Sequence, residues 1–254
     1  MPAFQGTPGM PYWQDCLTKD VQKSAYFYSK VLGWEVTGET YRVARKDGLP
    51  VAGFVPSKQE RDLWVTYFMD ADGSIESRVE PLGGKVLSSQ EVDFGVMTVC
   101  ADSSGGLFGL MRPAGEDAFV AAGEPGVSVW YECVAPDEAT VDFYGELFDW
   151  ELRKESGYYI ALQEGAAFLG LRLDPRLQQH GLAAVWHSYF GVKDVDAASH
   201  AVRMGGGQVL AGPTLSPFGP MLGAKDATGA NVYLCEVPEP VSEDVSEADS
   251  ILDL

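Results

Sequence analysis

The segment WQDCLTKD at residues 13–20 decides the fold, because it occurs again in altered form as WYECVAPD at residues 130–137, an offset of 117. Both copies have the pattern of a β-strand in which a Trp is followed two residues later by a carboxylate. Each copy ends at an Asp, a residue that often forms the N-cap of a helix. Apolar residues at helical spacing follow the first copy, at Val21, Ala25, Tyr28 and Leu32. The pattern therefore predicts a strand leading into a helix at two places in the chain.

Outward from this segment the two halves continue to match in the same order. The further pairs are Phe27-Tyr28 with Phe143-Tyr144, Gly33-Trp34 with Asp149-Trp150, residues 64–68 with 186–190, Gly83-Gly84 with Gly205-Gly206, and Asp102, Gly105 and Leu110 with Asp226, Gly229 and Leu234. Their offsets rise slowly, from 116 through 122 to 124. Small loop insertions between otherwise equivalent copies produce such a drift, so we interpret the chain as a tandem duplication.

Each half is predicted to contain two βαβββ units, which makes the fold class α+β. In the first half we place helices at 21–32 and 75–82, with strands between and after them up to residue 112. In the second half we place helices at 138–148 and 197–204, with strands up to residue 236. The predicted modules are residues 1–115 and 124–238, joined by a linker within 113–125. An acidic tail at 239–254 follows.

Charge and composition limit the partners. The chain has 37 acidic and 18 basic residues, a net charge of −19, and the tail contributes six acids and no base. Nucleic acid is excluded as a partner, because phosphate neutralisation needs clustered Lys and Arg. An anionic membrane surface is disfavoured for the same reason, and no run approaches the roughly 18 to 20 apolar residues that span a bilayer. We interpret the tail as a solvated appendage, or alternatively as a short helix with Ser242 as its N-cap.

Two further expectations follow from the sequence. The N-terminus has neither a basic nor an apolar signal region, so we expect a cytoplasmic protein. The four cysteines, none in a C-x-x-C pair, are expected to be buried reduced thiols and not ligands of a structural zinc. The expected partner is a small molecule, and the sequence leaves monomer and homodimer open.

The ordered motifs resemble those of the vicinal-oxygen-chelate superfamily, which includes glyoxalases, bleomycin-resistance proteins and extradiol dioxygenases. The resembling motifs are D-x6-FY-x4-GW after the first strand, W-x-x-YF opening the second unit and D-x-x-G before the last strand, and they cover about residues 10 to 237. The resemblance implies an open, curved β-cup in each half, with helices outside. Many members hold a divalent metal in the cup with His or Glu from three strands, whereas others bind a ligand without metal.

The resemblance also indicates which positions would hold a metal. They are Trp13, Val65 and Gly109 in the first half, and Trp130, His187 and Tyr233 in the second. The indole nitrogen of Trp is only a donor, and five of the six residues are not normal ligands of a divalent ion. We therefore predict no metal and no other cofactor.

Side-chain alternation along the strands then suggests what each cup contains. Residues two apart on a strand share a face, so the carboxylates of Asp15 and Glu132 are predicted to point into the cups with their tryptophans. The predicted ligand-binding residues are Trp13, Asp15, Tyr67 and Met111 in the first cup, and Trp130, Glu132, His187, Tyr189 and Tyr233 in the second. An aromatic wall beside a carboxylate is typical of a binding site for a flat or cationic ligand. The alternative is that the two tryptophans simply fill the core.

Glu132 and His187 admit three interpretations. They are two ligands of an altered metal site, an acid/base pair, or a hydrogen-bonded polar pair in a ligand pocket, and they are the only candidates for catalytic residues. The expected function is metal-independent binding of a small aromatic or hydrophobic molecule, of a sequestering or resistance type. The alternative is an enzyme of the glyoxalase or dioxygenase kind with an altered site in the second cup.

Overall fold

A computed structural model describes residues 3–39, 41–115, 118–216 and 219–238. The predicted acidic tail lies outside these residues. The first half contains β1 (Ala3–Gln5), β2 (Pro11–Thr18), α1 (Val21–Val31), β3 (Glu35–Thr37), β4 (Arg42–Lys46), β5 (Leu49–Pro56), β6 (Leu63–Met69), α2 (Glu76–Val79), β7 (Lys85–Val92), β8 (Gly95–Ala101) and β9 (Leu107–Pro113).

After the strand β10 (Phe119–Ala121), the second half repeats this order. Its elements are β11 (Ser128–Ala135), α3 (Glu138–Phe148), β12 (Glu151–Glu155), β13 (Tyr158–Gln163), β14 (Ala166–Leu173), α4 (Pro175–Gln179), β15 (Val185–Val192), α5 (Val195–Met204), β16 (Gln208–Ser216), β17 (Gly219–Lys225) and β18 (Asn231–Glu236). Apart from α4, each half is two consecutive βαβββ units, as the repeat predicted.

Each half forms one eight-stranded sheet with the same topology. The orders are β3-β4-β5-β2-β6-β9-β8-β7 and β12-β13-β14-β11-β15-β18-β17-β16. The opening strands of the two units lie antiparallel at the centre, β2 beside β6 and β11 beside β15. The decisive segments at 13–20 and 130–137 therefore form the central strand of each sheet, and the α+β prediction is confirmed.

Local chemistry explains where the long helices begin and end. The carboxylates of Asp20, Asp137 and Asp194 accept hydrogen bonds from backbone N–H groups in the first turn of α1, α3 and α5. After α1 the chain turns at Gly33, which has a φ of +70°, a conformation that glycine adopts without a Cβ clash. The equivalent position after α3 is Asp149, with a φ of +55°. The D-x6-FY-x4-G spacing is thus the length of one capped helix.

The helices lie between the two sheets, so the halves share their cores. One buried cluster contains Phe27, Tyr28 and Trp64 of the first half together with Phe190 and Val202 of the second. In a second cluster the roles of the halves are exchanged. Here Phe68 and Phe108 on strands of the first half pack against residues of helix α3 of the second half, such as Tyr144. The helix-covered faces of the two sheets pack against each other. The opposite face of each sheet is therefore the one that forms the cup.

Several predictions about elements were incomplete. The helix predicted at 75–82 is only the single turn α2, and α4 was not predicted. The linker is not entirely irregular, because its β10 pairs antiparallel with β1 through Ala3–Ala121, Phe4–Val120 and Gln5–Phe119. We call this two-stranded sheet the ribbon. Short-range patterns missed it, because its two strands are more than a hundred residues apart.

None of the helices in the described part of the chain is long and apolar enough to cross a membrane. All four cysteines are buried and free, as predicted.

Candidate functional site

The two cups are built from equivalent strand positions. On β2, Trp13 and Asp15 point to the cup, while Cys16 on the opposite face belongs to the core between the sheets. The same alternation on β11 separates Trp130 and Glu132 from Cys133. In each half the carboxylate lies beside a glycine of the neighbouring parallel strand, Asp15 beside Gly53 and Glu132 beside Gly170.

In the first cup, Asp15 is the centre of a buried hydrogen-bond network. Its Oδ1 accepts from the Trp13 Nε1 at 3.0 Å and from the Tyr41 hydroxyl at 2.7 Å, and the Trp13 Nε1 is also 2.9 Å from the Tyr41 oxygen. The Gly53 backbone makes room for this group, since a Cβ there would lie 2.1 Å from both the Asp15 Oδ1 and the Tyr41 hydroxyl oxygen. The network thus requires a glycine at this position.

Asp15 is only 1% exposed, and this burial raises the pKa of its carboxyl to about 6. Hydrogen bonds from Tyr41, Trp13 and Tyr67 lower the pKa and offset part of the effect. The carboxyl is therefore used inside the protein, as an acceptor for aromatic donors.

Aromatic and sulfur-containing side chains fill the rest of the first cup. Trp13, Val65, Tyr67, Met97 and Met111 form one buried cluster. Phe94, in the turn between β7 and β8, covers it, with its ring centroid 5.5 Å from Trp13 and 5.8 Å from Tyr41. The structure brings together the four residues predicted for this cup, Trp13, Asp15, Tyr67 and Met111, but it packs them against one another as a core.

The second cup brings together all five residues predicted for it. Glu132 lies directly opposite His187 across β11 and β15, and Trp130 lies opposite Tyr189. Tyr233 on β18 is stacked on Tyr189 with centroids 4.7 Å apart, and it meets His187 edge-on at 5.0 Å. Trp130, Glu132 and Tyr233 keep part of their surface exposed, unlike their buried counterparts Trp13 and Asp15.

Arg172 on β14 is the charged group that sequence reasoning missed. Its Nε donates to the Glu132 Oε1 at 3.3 Å, and its Nη1 lies 3.8 Å from Asp174. The Arg172 side chain is 42% exposed, whereas that of Glu132 is 12% exposed. The corresponding residue of the first half, at the same 117 offset, is Val55. The guanidinium is therefore a feature of the second cup that the first does not share.

Tyr158 was also missed. Its hydroxyl accepts from the Trp130 Nε1 at 3.3 Å, as Tyr41 does from Trp13, and its ring lies over Gly170. A signal for it was present, because Tyr41 and Gly53 match Tyr158 and Gly170 at the same offset of 117 as the tryptophans.

His187 is neutral over the physiological pH range. It is 9% exposed, and burial, followed by the positive charge of Arg172, lowers the pKa of its imidazole to about 4. Among the described residues the hydrogen-bond partners of Glu132 are Arg172 and Tyr158, and His187 is not one of them. The two residues are neighbours on one face, not a linked acid/base pair.

These donor sets do not fit a divalent metal. In the first cup the three positions indicated by the family pattern hold Trp13, Val65 and Gly109, none of which offers a lone pair from its side chain. In the second cup Glu132 is engaged by Arg172, and His187 stands beside tyrosines. Within residues 3–39, 41–115, 118–216 and 219–238, no three His, Cys, Asp or Glu side chains are grouped so that they could hold an ion.

With this geometry established, comparisons with known proteins identify the class. Residues 133–234 match the family model described as the Glyoxalase/Bleomycin resistance protein/Dioxygenase superfamily. This match lies in the second half, and the first half repeats the same sheet strand for strand. The resemblance predicted from the motifs is thereby confirmed.

Sequence relatives include proteins from Mycobacterium and Streptomyces. A Mycobacterium bovis protein named "Putative glyoxylase CFP32" is 28% identical over 231 residues, covering 82% of this chain and 87% of its own. The anthracycline biosynthesis protein DnrV of Streptomyces peucetius is 27% identical, covering 91% of this chain and 94% of its own.

Solved structures share the fold at low identity. The Mn(II)-bound glyoxalase from Novosphingobium aromaticivorans has a TM-score of 0.65 at 15% identity, covering 92% of this chain and 83% of its own. The 2,2',3-trihydroxybiphenyl 1,2-dioxygenase of Sphingomonas wittichii has a TM-score of 0.63 at 14% identity, covering 93% and 94%. At such identities the likeness concerns the fold alone.

Proposed function

We propose that the protein binds a small aromatic molecule in the second cup without a catalytic metal. The observation that carries this proposal is the contrast between the cups. The first is packed with its own buried side chains around Asp15, whereas the second keeps Trp130, Tyr158 and Tyr233 partly exposed beside charged groups. Apolar and aromatic walls with a few convergent polar groups are typical of small-molecule sites.

The charges of the second cup favour a ligand with an acceptor oxygen over a cation. Glu132 is already neutralised by Arg172, so a cationic ligand would have to displace an existing ion pair. Arg172 has donors on its Nη atoms in addition to the Nε bonded to Glu132, and the tyrosine hydroxyls nearby also donate. A planar ring carrying a carboxylate, phenol or quinone oxygen therefore suits both the walls and the donors.

The names of two relatives agree with this ligand class. DnrV and DauV of Streptomyces are named for anthracycline biosynthesis, and anthracyclines are planar, oxygen-rich polycyclic aromatics. From these relatives we carry over to this protein only the class of ligand, an oxygen-bearing polycyclic aromatic molecule.

An enzyme that uses Glu132 and His187 as an acid/base pair is the alternative. It requires the two side chains to cooperate, yet Glu132 is bonded to Arg172 and His187 is buried beside Tyr233. We therefore assign both residues to the wall of the ligand site.

The test is calorimetric titration with anthraquinone-2-carboxylate, supported by thermal shift, since a ligand specific for the native state raises the melting temperature. We expect Tyr233→Ala and Trp130→Ala to weaken binding by at least tenfold, because they remove the aromatic walls. Tyr41→Phe, a change confined to the first cup, should leave the affinity within twofold. Equal affinity of the parent and Tyr233→Ala proteins would remove the second cup as the site.

A further inference from the structure

A cavity of about 400 Å³ lies between the ribbon and the beginning of the second sheet. The ribbon contributes Phe4 and Val120, which pair with each other across its two strands. The floor is formed by β11 and β14. The residues around the cavity that the argument uses are Phe4, Val120, Trp130, Tyr131, Ala167 and Phe168.

The size of this cavity distinguishes it from a packing defect. Protein interiors are close-packed, and their voids rarely exceed the volume of a few water molecules. Sites for drug-sized ligands have volumes of roughly 300 to 1,000 Å³. The cavity therefore has room for a molecule of two or three fused rings.

The chemistry of the walls selects the class of molecule. Among the residues that the structure describes, no charged side chain lines the cavity, although the chain as a whole carries a net charge of −19. An ion placed there would lose its hydration without gaining a partner, which is costly. Four of the lining residues are aromatic, and Gln5, Thr7 and Ser128 are the ones with polar side chains.

We propose that this cavity is a second binding site, separate from the cup, for an uncharged aromatic molecule of two or three rings. Glu132, Arg172, His187 and Tyr233 of the second cup do not line it. Trp130 is the residue that both sites share.

The ribbon is suited to cover such a site. It is a separate sheet of only two strands with three residue pairs, and isolated two-stranded sheets of this kind are marginally stable. Its Phe4 side chain is 55% exposed, so it has apolar surface available to contact a ligand. A ligand beneath the ribbon would supply the apolar contacts that the ribbon otherwise lacks.

The probe for the test is N-phenyl-1-naphthylamine, an uncharged aromatic amine whose fluorescence increases in apolar surroundings. We expect saturable binding with one molecule per chain. Ala167→Trp should weaken it at least tenfold, because the indole occupies the cavity. Ala166→Trp is the matched control, since Ala166 is the neighbouring exposed residue of β14 and does not line the cavity. It should bind the probe as the parent does.

Two further variants separate the possible outcomes. Ala122→Leu fills the cavity from the ribbon side. If Ala167→Trp does not fold, this variant tests whether filling the cavity weakens probe binding. Tyr233→Ala shows whether the probe lies in the second cup, because this residue belongs to the cup alone. The proposal is overturned if the parent shows no saturable binding, if the cavity-filling variants bind like the parent, or if Tyr233→Ala alone abolishes binding. A parent protein that binds this probe but does not bind anthraquinone-2-carboxylate would instead count against the proposed function alone.

Discussion

Asp15 illustrates how one residue can be conspicuous in a sequence without being a ligand-binding group. The Trp-x-carboxylate pattern placed it correctly on the cup face, beside Trp13. The donors that surround it are Tyr41, just before β4, and Tyr67 on β6, and both are distant from Asp15 in the sequence. They satisfy the carboxyl internally, so a residue predicted to contact a ligand is part of a packed core.

Replacing Asp15 should change how stability depends on pH. In the unfolded chain the carboxyl titrates near 3.8, and in the folded protein near 6. Between these values the folded protein binds a proton that the unfolded chain has lost, so its stability falls as pH rises through this window. Asp15→Asn removes the titration. Relative to the parent, the variant should gain roughly 2–3 kcal/mol in unfolding free energy between pH 4 and pH 7.

Urea denaturation of both proteins across this range measures that difference. If the difference in unfolding free energy between the two proteins stays constant with pH, the raised pKa of Asp15 is contradicted.

At the scale of elements, the turn between β7 and β8 determines whether the first cup is open. The β8 strand carries Met97 on the cup side, and Phe94 in the turn places its ring against Trp13 and Tyr41. A single aromatic residue in a hairpin turn thus covers the buried cluster of the first cup. The sequence shows that Phe94 is present but not where its ring points. The orientation of a turn residue depends on how the strands on either side of the turn pair.

Phe94→Ala should uncover the first cup. Fully buried Phe→Ala changes cost 3–5 kcal/mol, so for this half-buried ring we expect a loss of roughly 1–2 kcal/mol. Water would then reach Asp15, and the pKa of its carboxyl should fall towards the ordinary value because desolvation is the main cause of the rise. Denaturation at several pH values reports both effects. Phe119→Ala, an exposed ring on the ribbon, serves as the control. An unchanged pH profile for Phe94→Ala would show that the ring does not exclude water.

At the scale of the whole molecule, the two halves are interlocked and not merely adjacent. The Tyr144 hydroxyl donates to the Asp102 Oδ2 at 2.8 Å and accepts from the Trp186 Nε1 at 2.9 Å, so two residues of the second half hold a turn of the first. In the symmetric position the Tyr28 hydroxyl accepts from the Trp64 Nε1, and the charge of Asp226 adds to burial in raising the pKa of Tyr28. The motifs that carried the family resemblance therefore stabilise the interface between the halves.

Because each buried cluster contains residues of both halves, we predict that the protein unfolds in one cooperative transition. Tyr144→Phe leaves Asp102 and Trp186 without their shared partner, which should lower the unfolding free energy by about 2 kcal/mol while the transition stays single. Tyr26→Phe, whose ring is exposed on α1, should change it by less than about 0.5 kcal/mol. Far-ultraviolet circular dichroism and tryptophan fluorescence should give coincident curves in guanidinium. Two separated transitions would show that the halves are independent.

The sequence by itself determined the duplication, the order of the elements within the βαβββ units, and the face on which Trp13, Asp15, Trp130 and Glu132 lie. Those features follow from local periodicity and from the repeat, which a single chain displays directly. Only the tertiary structure decided that the first cup is filled, that Arg172 neutralises Glu132, and that the ribbon forms from β1 and β10. Each of these depends on groups brought together across sheets and over long sequence separations, and no local pattern specifies such distances.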